Sequence, residues 1–124
     1  MDTEFSEEGE RLFRAVWDWF WKKDGTLAFS AFQDKNGLSV DREDDRPTDE
    51  CIGLMKKHGL KGSAVSVTVR DCREIAAHIH DCRSTSNIYH FEIHSSVDEV
   101  MLTEDQALYL SQVAIFEGRL TSAH

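Results

Sequence analysis

Between Ile88 and His94 the chain alternates strictly, with Tyr89, Phe91 and Ile93 apolar and His90, Glu92 and His94 polar. Period two is the signature of a half-buried strand, so the three polar groups are predicted to share one face, about 7 Å apart along it. Ser63 to Arg70 alternates valines with polar residues and predicts a second strand with one weakly packed face. Ala77 to Cys82 alternates again, and the polar run Arg83 to Asn87 reads as a loop. Antiparallel pairing across that loop in a symmetric register sets His80 opposite His90 and His78 opposite Glu92. A shorter strand, Leu38 to Arg42, follows the turn signal Asp34-Lys35-Asn36-Gly37. Two half-polar strands share a cleft only if they lie side by side, which places His90 nearer Ser39 or Arg42 than Cys82.

The helical pattern is read elsewhere. Residues 5 to 23 predict a first helix, with Thr3 and Ser6 as capping candidates, acids in the first turn and Lys22, Lys23 and Gly25 at the end. On a helical projection Phe13, Val16, Trp17 and Phe20 centre the apolar face, while Trp19 and Trp21 lie at its margins; the arc is about twice a minimal core stripe. Trp17 is therefore expected in the core, with Trp19 or Trp21 bordering an oligomeric or partner surface. The acid-rich loop 41 to 50 feeds a helix from Thr48 to Lys57 or His58, closed by Gly59, with Ile52 and Met55 inward. Residues 71 to 76 suggest a helical turn. Thr103-Glu104-Asp105-Gln106 has capping-box spacing and opens a last helix, apolar nearly all round, through about Glu117. Together these elements predict an α+β domain spanning 1 to 124. Its small, mainly antiparallel sheet of three to five strands packs against the N-terminal and C-terminal helices.

At 124 residues and 40% apolar content, one core suffices without staples. The net charge of −9 argues against an extended nucleic-acid surface, which rests on Lys and Arg neutralising phosphates. No apolar run is long enough for a membrane span. Cys51, Cys72 and Cys82 are an odd number behind an acidic start, which fits a reducing cytoplasm and small apolar fillers better than catalysis.

Chemistry concentrates on the half-polar strands. His78, His80, His90 and His94, with Glu92, have the ligand types for a borderline metal. Zinc sites show tighter spacing and paired cysteines, so no metal and no cofactor is expected. Arg42 has the planar fork that clamps an anion, or it pairs with the surrounding acids. No nucleophile elbow, Walker loop, dinucleotide fingerprint or helical zinc motif is present.

Ser30-Ala31-Phe32-Gln33-Asp34, then Gly37-Leu38-Ser39-Val40-Asp41-Arg42, then Asn87-Ile88-Tyr89-His90-Phe91-Glu92-Ile93 resembles small uncharacterised bacterial proteins with an AF-x-D…GLSVD…N-x-x-H-x-x-I order. The resemblance covers roughly residues 28 to 116. It implies that Phe32, Ser39, Asn87 and His90 are better site candidates than His78, His80 or Cys82, and it carries no activity.

The leading expectation is a cytoplasmic binding or accessory protein, of the kind found in defence or mobile-element operons, acting through its apolar face or its polar strand face. The alternative is a small enzyme or anionic-ligand-binding domain. There Ser39, Arg42, Asn87 and His90 bind the ligand, and His90 works as acid or base oriented by Glu92.

Overall fold

A computed structural model describes residues 5–121, so the capping candidate Thr3 lies outside the described residues. Six strands form one antiparallel sheet: β1 (Arg11–Val16), β2 (Leu38–Arg42), β3 (Ser63–Thr68), β4 (His78–Asp81), β5 (His90–His94) and β6 (Ile115–Arg119). Their spatial order is β4-β5-β2-β1-β3-β6. Three helices accompany them, α1 (Thr48–Lys57), the short α2 (Val69–Glu74) and α3 (Glu104–Val113).

This corrects the expected architecture of three to five strands between terminal helices. The N-terminal segment is a central strand, β1, ending at Val16 and followed by a 3-10 turn over Asp18–Phe20. A strand buried on both faces is apolar at consecutive positions, and that mimics an over-wide helical stripe. Leu12 and Val16 enter one core and Phe13 the other. The last helix likewise stops at Val113, where Ile115 and Phe116 begin β6. Its apolar circumference was the mark of a second element, built from β-branched and aromatic residues.

Alternation along each strand sorts the residues onto two faces. One face carries Leu12, Val16, Leu38, Val40, Val65, Val67, Ile79, Phe91 and Ile93, covered by Val69 and Cys72 of α2, Ala107 and Leu110 of α3, and Ala31 and Phe32 of a 3-10 turn. Capping boxes start both helices: Thr68 Oγ1 accepts from Asp71 N at 3.1 Å and Thr103 Oγ1 from Gln106 N at 3.1 Å. The opposite face is covered only where α1 lies, with Cys51 and Met55 packed on Phe13, Ala64 and Leu120. Among the described residues the buried cluster of this second face includes none from β2, β5 or β4.

The valine strand β3, expected to have one wet face, is buried on both because it lies inside the sheet, and Ser66 Oγ donates to Glu117 Oε2 at 2.6 Å. α1 begins after Pro47 and ends at His58, with Gly59 at φ +78° beyond it. The turn before β2 closes through Gly37, whose φ of +108° favours glycine and whose Cβ position is taken by the Glu92 carboxylate.

Candidate functional site

β2 lies beside β5, with Ser39 opposite Glu92 and Asp41 opposite His90, while Phe13 of β1 flanks Asp41 on the other side. Residues paired across antiparallel strands point to the same face, so Ser39, Asp41 and His90 form one floor. His90 also borders β4: its carbonyl accepts from Cys82 N at 3.2 Å, so it sits between the two strands rather than closer to one by chain pairing.

Where α1 ends, this floor opens into a cleft of about 510 Å³. Phe13, Ala15, Met55 and Leu60 supply apolar wall, while Ser39, Asp41, His58, Ser84, Ser86, Asn87 and His90 supply polar groups. A few polar groups converging on an apolar wall are typical of small-ligand sites of roughly 300 to 1,000 Å³.

Asn87 is fixed on both sides of its amide. Its Nδ2 donates to Asp41 Oδ1 at 2.9 Å, and its Oδ1 accepts from Tyr89 N at 3.0 Å, which determines the amide's orientation. Asp41 is only 6% exposed, and its Oδ2 is buried without a hydrogen-bond partner. From the covered face, Arg14 holds the Ser39 backbone: Nη1 donates to the Ser39 carbonyl at 3.2 Å and Nε to the Ala31 carbonyl at 3.0 Å. Burial pushes the Arg14 guanidinium down to about 10, still far above neutral, so it remains a cation.

Ser39, Asn87 and His90 line one cleft, and Arg42 does not. One residue along β2 from Asp41, it points to the covered face, where Nε and Nη2 each donate to a Glu10 oxygen at 2.8 Å. Its guanidinium stacks 4.5 Å from the Phe5 ring centroid, and bonding to Glu10 raises its already high pKa. Phe32 is 1% exposed and serves the core.

Glu92 does not orient His90. Its Oε1 lies 2.8 Å from His94 Nε2, away from the cleft. β4 and β5 pair with His78 opposite His94 and His80 opposite Glu92, two residues from the symmetric register, a shift that preserves the face. His78, His80 and His94 form their own group, the rings of His80 and His94 stacked at 4.8 Å, and His90 stays with the cleft. Among the described residues no group of three or more His, Cys, Asp or Glu is arranged to hold a metal ion. Burial first, then Glu92, raises the Cys82 thiol, and burial raises that of Cys51, which makes neither a ready nucleophile.

The indoles depart from the helical reading. Trp17 is 47% exposed and Trp19 70%, their rings stacked at 4.9 Å and 7° beyond the end of β1. Trp21 packs against the core and meets Phe116 edge-on at 6.2 Å. Trp17 is therefore not core, because the strand ends at Val16 and the chain leaves the sheet before the indoles.

Sequence reasoning missed Asp41 and His58. Asp41 shares the parity of Ser39 on a half-polar strand, so period two alone would have found it. His58, at the C-terminal end of α1, carried no signal short of the tertiary fold. No protein-family model matches the chain, and no curated protein or solved structure matches it either. Among the described residues no helix is long and apolar enough to cross a membrane.

Proposed function

We propose that the protein is a small binding module, acting in the cytoplasm, that holds a compact organic ligand in the cleft beside α1. The observation that carries this reading is the meeting of Asp41, Asn87 and His90 with Phe13, Met55 and Leu60 around one concavity of about 510 Å³. Buried polar groups facing an apolar wall fix a ligand's orientation, while the wall contributes affinity through removal of surface from water. The anion-clamp version of this idea is set aside, because Arg42 is committed to Glu10 on the other face. So is acid–base assistance from Glu92, which partners His94.

A test uses Ser39→Trp, which fills the cleft from an exposed position on its floor. Fragments that raise the melting temperature of the native protein should lose that effect in the variant, with the far-ultraviolet spectrum unchanged. Equal stabilisation of both proteins would contradict the cleft as the binding site.

A second reading has its own observation, the exposed Trp17–Trp19 stack beyond the end of β1. In that reading the acidic module is an accessory protein that docks a protein partner through these indoles. Trp19→Ala would then abolish association measured by light scattering or pull-down and leave cleft binding intact.

A further inference from the structure

The polar floor of the cleft holds a carboxylate with no ion-pair partner among the described residues. Asp41 makes no ion pair among the described residues, its Oδ1 accepts only the neutral Asn87 amide, and its Oδ2 is buried without a partner. The arginines that lie close in sequence to the floor are engaged elsewhere. Arg14 donates to the Ala31 and Ser39 carbonyls and Arg42 to Glu10. Arg46 donates to the Glu43 carbonyl at 3.0 Å and the Arg42 carbonyl at 2.6 Å, with its guanidinium 3.5 Å over the Tyr89 ring centroid. A buried charge is expensive unless it is paired, and a buried acceptor unless it receives a hydrogen bond.

We propose that the cleft takes a small organic cation, an amine or amidinium head on a compact apolar body, with Asp41 as its counter-ion. The inference rests on the cleft being a ligand site and adds the charge and shape of the ligand. An amidinium or ammonium supplies in one group both what Oδ2 lacks, an N–H donor, and what the floor lacks, a positive charge. Phe13, Met55 and Leu60 offer the body an apolar wall, and the methionine thioether adapts its shape to the occupant. The same floor discriminates against anions, because a second negative charge beside Asp41 finds no free guanidinium among Arg14, Arg42 and Arg46, in a chain of net charge −9. Because Oδ2 is closed to solvent, binding moves part of the wall.

The experiment is isothermal titration calorimetry of the native protein with benzamidinium and phenethylammonium. Benzamide and 2-phenylethanol serve as neutral isosteres and benzoate as the anion, and all five probes are repeated on Asp41→Asn and Ser39→Trp. The cations should bind at least about tenfold more tightly than their neutral isosteres, a difference of one decade in Kd, and benzoate should not bind. Asp41→Asn should remove that preference, bringing each cation to the affinity of its neutral isostere in the same variant. Equal affinity for cation and isostere, or full cation affinity in Asp41→Asn, would overturn the proposal. Binding of benzamide or benzoate that Ser39→Trp abolishes, without any cation preference, would overturn the cation and keep the cleft as a ligand site. Silence from all five probes would count against both. Should Asp41→Asn fail to fold, the comparison of cation with isostere in the native protein decides the question alone.

Discussion

The two faces of the sheet differ in how completely they are covered, and the difference separates stability from recognition. The face carrying Leu12, Val40, Val67, Phe91 and Ile93 is roofed by α2, α3 and the Phe29–Phe32 turn, and its side chains are almost wholly out of water. The other face is covered by α1 over β1 and β3, and among the described residues its buried cluster does not extend over β2 and β5, where the cleft lies. On the covered face even the charged group, Arg42, is satisfied within the chain by a bidentate carboxylate and an aromatic ring. On the open half the buried carboxylate Asp41 is left half-satisfied. A chain that pairs one buried charge fully and leaves another unpaired one residue away marks the second as a site for something external.

Truncations should separate the two faces, and the largest effect belongs to the roofed one. Phe32→Ala should cost about 3–5 kcal/mol in urea unfolding, because a fully buried ring leaves a cavity that the surrounding core fills only in part. Arg42→Ala should cost about 3 kcal/mol, since it removes the guanidinium that pairs the Glu10 carboxylate, whose side chain is 9% exposed and keeps the Asp44 backbone N–H as a donor. Ligand binding in the cleft should persist in that variant. Loss of binding at unchanged stability would restore Arg42 as a ligand clamp and break the comparison.

His90→Ala, on the open half, should change stability by less than about 1 kcal/mol and weaken cleft binding. Thermal melting beside calorimetry checks both, and severe unfolding would show that His90 is a structural hydrogen-bonding residue. The smallest effect lies at the β4 edge. The Arg83 guanidinium and backbone N–H hold the Asp81 carboxyl down at about 2, from an ordinary 3.8. A depressed carboxylate stabilises the fold above its unfolded pKa and ceases to do so as pH falls through the folded one. Asp81→Asn should therefore lower stability slightly at neutral pH and flatten the acid limb between about pH 4 and 2, so that native and variant converge at the acid end. The effect is small because the pair is exposed to salt and water.

The parts of the fold legible in the sequence were those where one residue pattern served one element. The alternation at 90–94 marks β5, the capping box at Thr103 opens α3, and Gly37 and Gly59 end their segments at positive φ. Errors came where two competing patterns overlapped. Leu12-Phe13, Ala15-Val16-Trp17 and Trp19-Phe20-Trp21 follow one another with only Arg14 and Asp18 between them, because β1 is buried on both faces and the indoles follow in a separate turn. Val113 and Ile115 likewise belong to different elements joined without a polar break. The candidate site was legible to the extent that it lies on strands. Ser39 and His90 share a face through parity and strand adjacency, whereas Asn87 lies in the loop before β5, where no alternation applies. Arg42 was misplaced because proximity in sequence was allowed to outweigh the alternation that turns it away from Asp41. His58, Met55 and Leu60 reach the cleft only through the packing of α1 on the sheet, which no local pattern encodes.

The central claim, that the open half of the second face is the recognition surface, is tested most directly by amide and indole chemical-shift mapping of the labelled native protein titrated with phenethylammonium. Perturbations should centre on Ser39, Asp41, Asn87 and His90, with the Trp17 and Trp19 indole signals unmoved. Perturbations centred on Trp17 and Trp19, with the cleft amides silent, would contradict it.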